Sequence, residues 1–187
     1  MSDEERLELP QFRYHPDPVG TGSVEASERT CRACGKARGY IYAEPVLYES
    51  DPEGPICPWC VASGDAHTRF GAEFIDPAAV GGFGRWDAVP SEVLLEVAYR
   101  TPGFSGWQDE RWWTHCRDAA QFLGPAGRAE VEAHGPELSE ALQREAEMEE
   151  REWARRLSLL DRDHGPTAYV FRCLHCGALG GYTDAPE

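Results

Sequence analysis

Cys31-Arg32-Ala33-Cys34-Gly35 and, after an interval of 22 residues, Cys57-Pro58-Trp59-Cys60 form the stretch around which this chain organises itself. A Cys-x-x-Cys turn aims two thiolates at one point. Two such turns complete a tetrahedral zinc shell, with Zn–S distances of about 2.3 Å. The interval slightly exceeds the roughly 15–20 residues of common zinc ribbons, and a hairpin fills it. A third knuckle, Cys173-Leu174-His175-Cys176-Gly177, repeats the pattern near the other end. Gly35 and Gly177 follow the second cysteine of their knuckles, where positive φ lets backbone N–H groups turn toward the sulfurs. Six of the seven cysteines lie in these knuckles, and the seventh is Cys116.

A chain of 187 residues can bury a real core, so metal need not be its only source of order. The pattern reads as a single α+β domain over 1–187, with zinc-knuckle hairpins and flanking helices. Within it, 31–60 reads as a zinc-ribbon-like part, 91–163 as mostly helical and 167–184 as a C-terminal knuckle hairpin. The start, Met1-Ser2-Asp3-Glu4-Glu5, lacks the basic and apolar regions of a signal peptide. No apolar run reaches the ~18 residues of a membrane span. A cytoplasmic protein is the expectation, and a reducing compartment favours metal thiolates over disulfides.

The formal net charge is −15, from 33 acidic and 18 basic residues, with Lys36 the one lysine. Such a field repels a phosphate backbone, which argues against nucleic acid and suits a basic protein partner. Solubility alone would also be served by it.

Along the chain, residues 1–9 read as a charged tail and Leu9 to Pro18 as an extended segment. Gly39–Tyr42 and Val46–Tyr48 read as a hairpin, and Asp51–Pro55 as a turn into Cys57. His15 is a candidate ligand or base, though between Tyr14 and Pro16 a packed or surface role suits it better, and His67 is a possible extra ligand to a first shell already filled by four cysteines. Val61–Phe70 reads as a short helix. Cys57-Pro58-Trp59-Cys60 also has the form of a thioredoxin-type redox pair at a helix start, a reading that leaves Cys31 and Cys34 unexplained. Ser91 caps a helix with Leu94, Leu95 and Ala98 on one face. Trp107, Trp112 and Trp113 either line a groove for a partner or seal the core. Residues 124–134 read as a short helix, and Glu137–Leu160 as one long helix opened by Pro136. Its charged middle, with Glu145, Glu149 and Glu152, is the candidate face for a basic partner.

Cys173 and Cys176 need partners. They either join Cys116 in a second site or exchange with one of the earlier pairs in the first. A fourth ligand for a second site would come from His115, Asp118, His164 or His175. With three protein ligands only, Cys116, Cys173 and Cys176 would leave a position for water, the arrangement of a zinc hydrolase.

Several motifs together resemble one family. They are Phe12-Arg13-Tyr14-His15-Pro16-Asp17-Pro18, Cys31-x-x-Cys34-Gly35, Ile56-Cys57-Pro58-Trp59-Cys60, Arg100-Thr101-Pro102-Gly103-Phe104-x-Gly106-Trp107-Gln108, His115-Cys116-x-Asp118 and Phe171-Arg172-Cys173-Leu174-His175-Cys176-Gly177. The combination is similar to the CbrC family of bacterial proteins over almost the whole chain. The resemblance implies a small cytoplasmic protein with cysteine-bound zinc and no established enzymatic activity. The family name is linked to tolerance of a nuclease colicin, which implies an immunity or toxin-tolerance role against a basic toxin. Family sequences often carry a cysteine four residues after the one matching Cys116, and this chain has Ala120 there.

Overall fold

The computed structural model describes residues 8–47 and 54–186. The predicted tail over 1–7, Tyr48 of the expected hairpin and residues 51–53 of the expected turn lie outside them. The chain forms two compact units. The first comprises residues up to Pro77 together with Ser91–Phe104; the second comprises Ala78–Pro90 and Ser105 onward. Both helices and small antiparallel sheets are present, so the fold is α+β.

In the first unit, β1 (Val24–Ala26) pairs antiparallel with β2 (Tyr40–Tyr42), with Val24 opposite Tyr42. Sequence reasoning paired β2 with Val46–Tyr48 instead. Leu47 makes only an isolated bridge to Glu73. The reason is that both edges of β2 are taken, one by β1 and the other by Ile56, whose carbonyl accepts from Tyr42 N–H at 2.8 Å. Pro58 opens α1 (Pro58–Ser63) at a position where its missing N–H costs nothing. Gly64, at φ 78°, ends α1 and starts α2 (Asp65–Phe70), so the single helix expected over 61–70 is two. Helix α3 (Ser91–Arg100) buries Val97 and Ala98, while Leu95, expected on its apolar face, is exposed. The core joins Phe12, Tyr42, Ile56, Val61 and Phe74 to Cys31, Cys57 and Cys60. His15 is fully buried beside it. Its Nδ1 and Nε2 lie 2.7 Å from the Pro102 carbonyl oxygen and 2.7 Å from Thr21 Oγ1.

In the second unit, β3 (Thr114–His115) and β4 (Asp118–Ala119) form a hairpin with a two-residue turn. Strands β5 (Gln121–Ala126), β6 (Thr167–Arg172) and β7 (Leu179–Asp184) form a three-stranded antiparallel sheet in that order. A register shift between Phe122 and Gly124 carries Pro125 opposite Tyr169. Gly124–Ala126 are therefore strand, and the helix expected over 124–134 is only α4 (Arg128–Ala133). Gly127 precedes it, its N–H donating to Glu130 Oε2.

The long helix expected over 137–160 is two helices, α5 (Pro136–Glu145) and α6 (Glu150–Leu159). The break is a helix stop built from bonds rather than from glycine. Met148 N–H returns to the Gln143 carbonyl at 3.3 Å and Glu147 N–H to the Arg144 carbonyl at 3.2 Å, with Glu147 left-handed at φ 54°. That bonding is the Schellman pattern. Met148 packs on the core of Val131, Leu138, Leu142, Trp153 and Val170. Arg85 and Trp86 grip the end of α5. Arg85 Nε meets Glu145 Oε1 at 2.6 Å, and Trp86 Nε1 donates to Glu145 Oε2 at 2.8 Å.

Candidate metal centres

Two groups of donor atoms each lie within 4.8 Å of one another: Cys31, Cys34, Cys57 and Cys60 in the first unit, and His115, Cys116, Cys173 and Cys176 in the second. Either group can hold a metal ion.

The first group joins a knuckle to a helix start. Gly35 N–H donates to the Cys31 carbonyl at 2.8 Å, and Cys31 N–H to the Lys36 carbonyl at 2.9 Å, which folds the knuckle back on itself. Cys57 stands immediately before α1, and its N–H donates to Cys31 Sγ at 3.2 Å. Cys34 Sγ and Cys57 Sγ are 3.8 Å apart. The thiol hydrogen bond from Cys57 draws Cys31 downward against the opposing effect of burial. The same contact pushes Cys57 up, and burial does so to Cys60. One thiolate is thus favoured and further negative charge beside it resisted. A divalent cation removes that conflict, which is why such sets bind metal with release of protons. Cys57 sits among three other thiols, unlike the lone pair of a redox motif.

The second group repeats the knuckle. Gly177 N–H donates to the Cys173 carbonyl at 3.1 Å, and Cys173 N–H to the Ala178 carbonyl at 2.8 Å. Gly35 and Gly177 share positive φ, 67° and 74°. The other two donors are adjacent in sequence. His115 ends β3, and Cys116 and Arg117 form the hairpin turn with φ 56° and 59°. Two positive φ values in a two-residue hairpin are the I′ pattern, for which Asn-Gly is the usual sequence. Here that backbone turns Cys116 so that its Sγ lies 3.3 Å from His115 Nδ1 and 3.8 Å from Cys176 Sγ. His115 Nδ1 is also 3.5 Å from Cys176 Sγ. Trp113 stacks on the His115 ring at 5.1 Å. Gly180 leaves space for that indole, which a Cβ would overlap.

The remaining candidates fall elsewhere. Asp118 is buried and pairs through Oδ2 with His175 Nε2 at 2.8 Å, outside the donor group. His164 lies in an exposed turn, Nδ1 3.2 Å from Asp161 Oδ1. His67 stacks on Tyr99 at 3.8 Å. Trp112 is fully buried against Phe122 and Phe171. Trp107 keeps 39% of its surface exposed and donates from Nε1 to Thr167 Oγ1 at 2.9 Å. Glu145 is occupied by Arg85 and Trp86, while Glu149 and Glu152 are exposed. Among the described residues, no helix is long and apolar enough to cross a membrane.

With both donor groups in view, comparison with known proteins gives the family. The chain belongs to UPF0167. That family, described as "Uncharacterised protein family (UPF0167)", matches residues 9–185. The chain is 47% identical over 184 residues to UPF0167 protein Mb2317 of Mycobacterium bovis, covering 94% of this chain and 93% of that one. It is 42% identical over 170 residues to UPF0167 protein PA1536 of Pseudomonas aeruginosa, covering 90% and 93%. Its relatives here are therefore small bacterial proteins. No solved structure matches the chain.

Proposed function

We propose that this UPF0167 protein is a zinc-stabilised binding module, with one zinc held by Cys31, Cys34, Cys57 and Cys60 and a second by His115, Cys116, Cys173 and Cys176. The observation that carries this reading is the closure of both groups at four protein donors. Sulfur and imidazole are the donors that suit zinc, and four of them fill its tetrahedral shell. A hydrolytic zinc keeps one position for water. His115 as a fourth donor beside Cys116, Cys173 and Cys176 would leave no position for water, which favours a structural zinc over a hydrolytic one.

The binding role rests on the surface. The net charge of −15 and the exposed Glu149, Glu150 and Glu152 at the start of α6 suit a basic protein. The CbrC-family resemblance extends this to a cytoplasmic protein that protects against a basic nuclease toxin.

Elemental analysis of protein purified without added zinc, with free thiols counted on the same sample, tests the metal reading. Two zincs per chain are expected. A preparation free of metal, with its thiols oxidised in pairs, would overturn it. For the partner, charge reversal at Glu149 and Glu152 should weaken a salt-sensitive complex with a basic nuclease domain; unaltered affinity would remove that surface from the reading.

A further inference from the structure

The sheet of the second unit has two edges, and the chain treats them differently. Cys173 N–H donates to the Ala178 carbonyl, and from there β6 and β7 run in unbroken register from Arg172–Leu179 to Thr167–Asp184. Facing residues of an antiparallel pair alternate between exchanging both backbone bonds and exchanging neither. Phe171–Gly180 and Tyr169–Tyr182 are therefore bonded pairs, and Leu179, Gly181 and Thr183 turn their N–H and C=O groups away from β6. Among the described residues, no hydrogen bond reaches those outward groups. The opposite edge is closed. There Pro125 occupies a position of β5 whose N–H would point outward, and the register shift between Phe122 and Gly124 bends the strand. Proline and a bulge are the usual devices against further pairing, and β7 has neither.

A groove of about 350 Å³ lies along the open edge, with Leu179, Gly180 and Gly181 at its floor and Trp113, Ala141 and Arg144 at its sides. The sides belong to opposite faces of the sheet. Helix α5 packs on the face that carries Ala168, Val170 and Leu179, and Trp113 lies over Gly180 on the other. The strand edge thus sits between a helix and an indole. Around it, Arg144 pairs with Glu140 at 3.9 Å, and Arg85 meets both Glu145 and Glu147, at 2.6 and 3.3 Å. Two arginines among three glutamates leave one negative charge in excess, in a chain whose net charge is −15. A second copy of this chain would bring its own edge behind the same flanks and the same charge. A free basic segment meets neither obstacle.

We propose that this groove takes an extended, basic segment of a partner protein, which adds to β7 as a fourth strand. The outward N–H and C=O groups of Leu179 and Gly181 bond its backbone, and its side chains alternate between the Ala141 side and the Trp113 side. Backbone pairing supplies the affinity, while the acidic field steers the approach. The inference deepens the binding-module reading and rests on it for the charge of the partner.

The test probe is a blocked hexapeptide of alternating lysine and valine, titrated to millimolar concentration into the intact, metal-loaded, 15N-labelled protein. Binding at the edge should shift the Leu179 and Gly181 amides saturably and slow their hydrogen exchange at least tenfold. Gly180 N–H, already bonded to Phe171, serves as the internal control. The same peptide N-methylated at every residue keeps its charge and donates no backbone bond, so it should have neither effect. Leu179→Pro gives β7 the device that Pro125 gives β5, and should abolish the protection of Gly181 at unchanged metal content. Should that variant not fold, the N-methylated peptide decides alone. If the basic peptide moves signals of α6 and leaves Leu179 and Gly181 as they were, the edge proposal is overturned while the acidic-surface reading stands. An equal effect of the N-methylated peptide at Leu179 and Gly181 overturns it too. Equal binding of a glutamate–valine hexapeptide at the edge would overturn the basic partner, here and in the binding-module reading. Exchange at Leu179 and Gly181 that slows with protein concentration alone would overturn the proposal in favour of a second copy.

Discussion

Cys31-x-x-Cys34-Gly35 and Cys173-x-x-Cys176-Gly177 fold into the same turn, bond for bond, yet the chain completes the two donor groups in opposite ways. The first is completed by a helix start and lies inside a core, with Cys31, Cys57 and Cys60 each at 2% exposure or less. The second is completed by a two-residue hairpin carrying two left-handed non-glycine residues, and Cys116 and Cys176 are exposed. Left-handed backbone costs roughly 1–2 kcal/mol per L-residue. The same knuckle therefore serves once as part of a hydrophobic core and once as a clip at the surface. A metal-binding motif by itself says little about how firmly its ion is kept.

The largest effect that would break this comparison is at Cys57. A structural zinc contributes an apparent ~10–16 kcal/mol in finger peptides, against the ~5–15 kcal/mol that stabilises a whole domain. Cys57→Ser should unfold the first unit, read by loss of its dispersed amide signals and one metal per chain. Cys116→Ser should lose one metal and leave those signals in place. Equal damage from both would abolish the distinction.

Next in size is the order of metal loss. Graded exposure to EDTA, with zinc counted at each step, should empty the second group at least tenfold faster. Selective protection of Cys116 and Cys176 from alkylation, after Cys34 and Cys57 have become reactive, would reverse the ranking.

A smaller effect separates acid sensitivity of the first unit from protonation of its thiolates. Burial lowers His15 from 6.5 to about 4, against the weaker upward pull of the Pro102 carbonyl. The unfolded chain then binds the proton first. Stability from this group is complete above pH 6.5 and falls as pH drops toward 4, by about 3 kcal/mol in all. His15→Gln should start less stable and lose less between pH 7 and 5 than the parent, by chemical denaturation at each pH. Parallel losses in both proteins would exclude His15 as the cause.

The smallest concerns the strained hairpin. Arg117→Gly should raise stability by roughly 0.5–1 kcal/mol, because glycine tolerates φ near 59°. A fall in melting temperature would show that the Arg117 side chain contributes more than its backbone costs.

These contrasts mark what the residues disclose. The Cys-x-x-Cys-Gly knuckles are legible because both cysteines and the turn-forming glycine are local. His115 beside Cys116 is not, since neighbouring side chains converge only through a left-handed turn that neither Cys116 nor Arg117 advertises. An Asn-Gly at that place would have been a signal. Likewise, Glu147 hides a helix end in a sequence of helix formers, because the stop comes from the Met148 and Glu147 N–H bonds and the packing of Met148. Strand β1 is not legible because Val24-Glu25-Ala26 has one β-branched residue beside two poor strand formers, whereas the equally short β2 is Tyr-Ile-Tyr.

The spacing of the donors also sets a timetable for synthesis. All four of the first group lie within Cys31–Cys60, whereas the second begins at His115 and is incomplete until Cys176. At ~5–20 residues/s, on the order of ten seconds of translation separate the two closures. During that interval His115 and Cys116 wait without their partners, open to whatever thiol-seeking species the nascent chain meets.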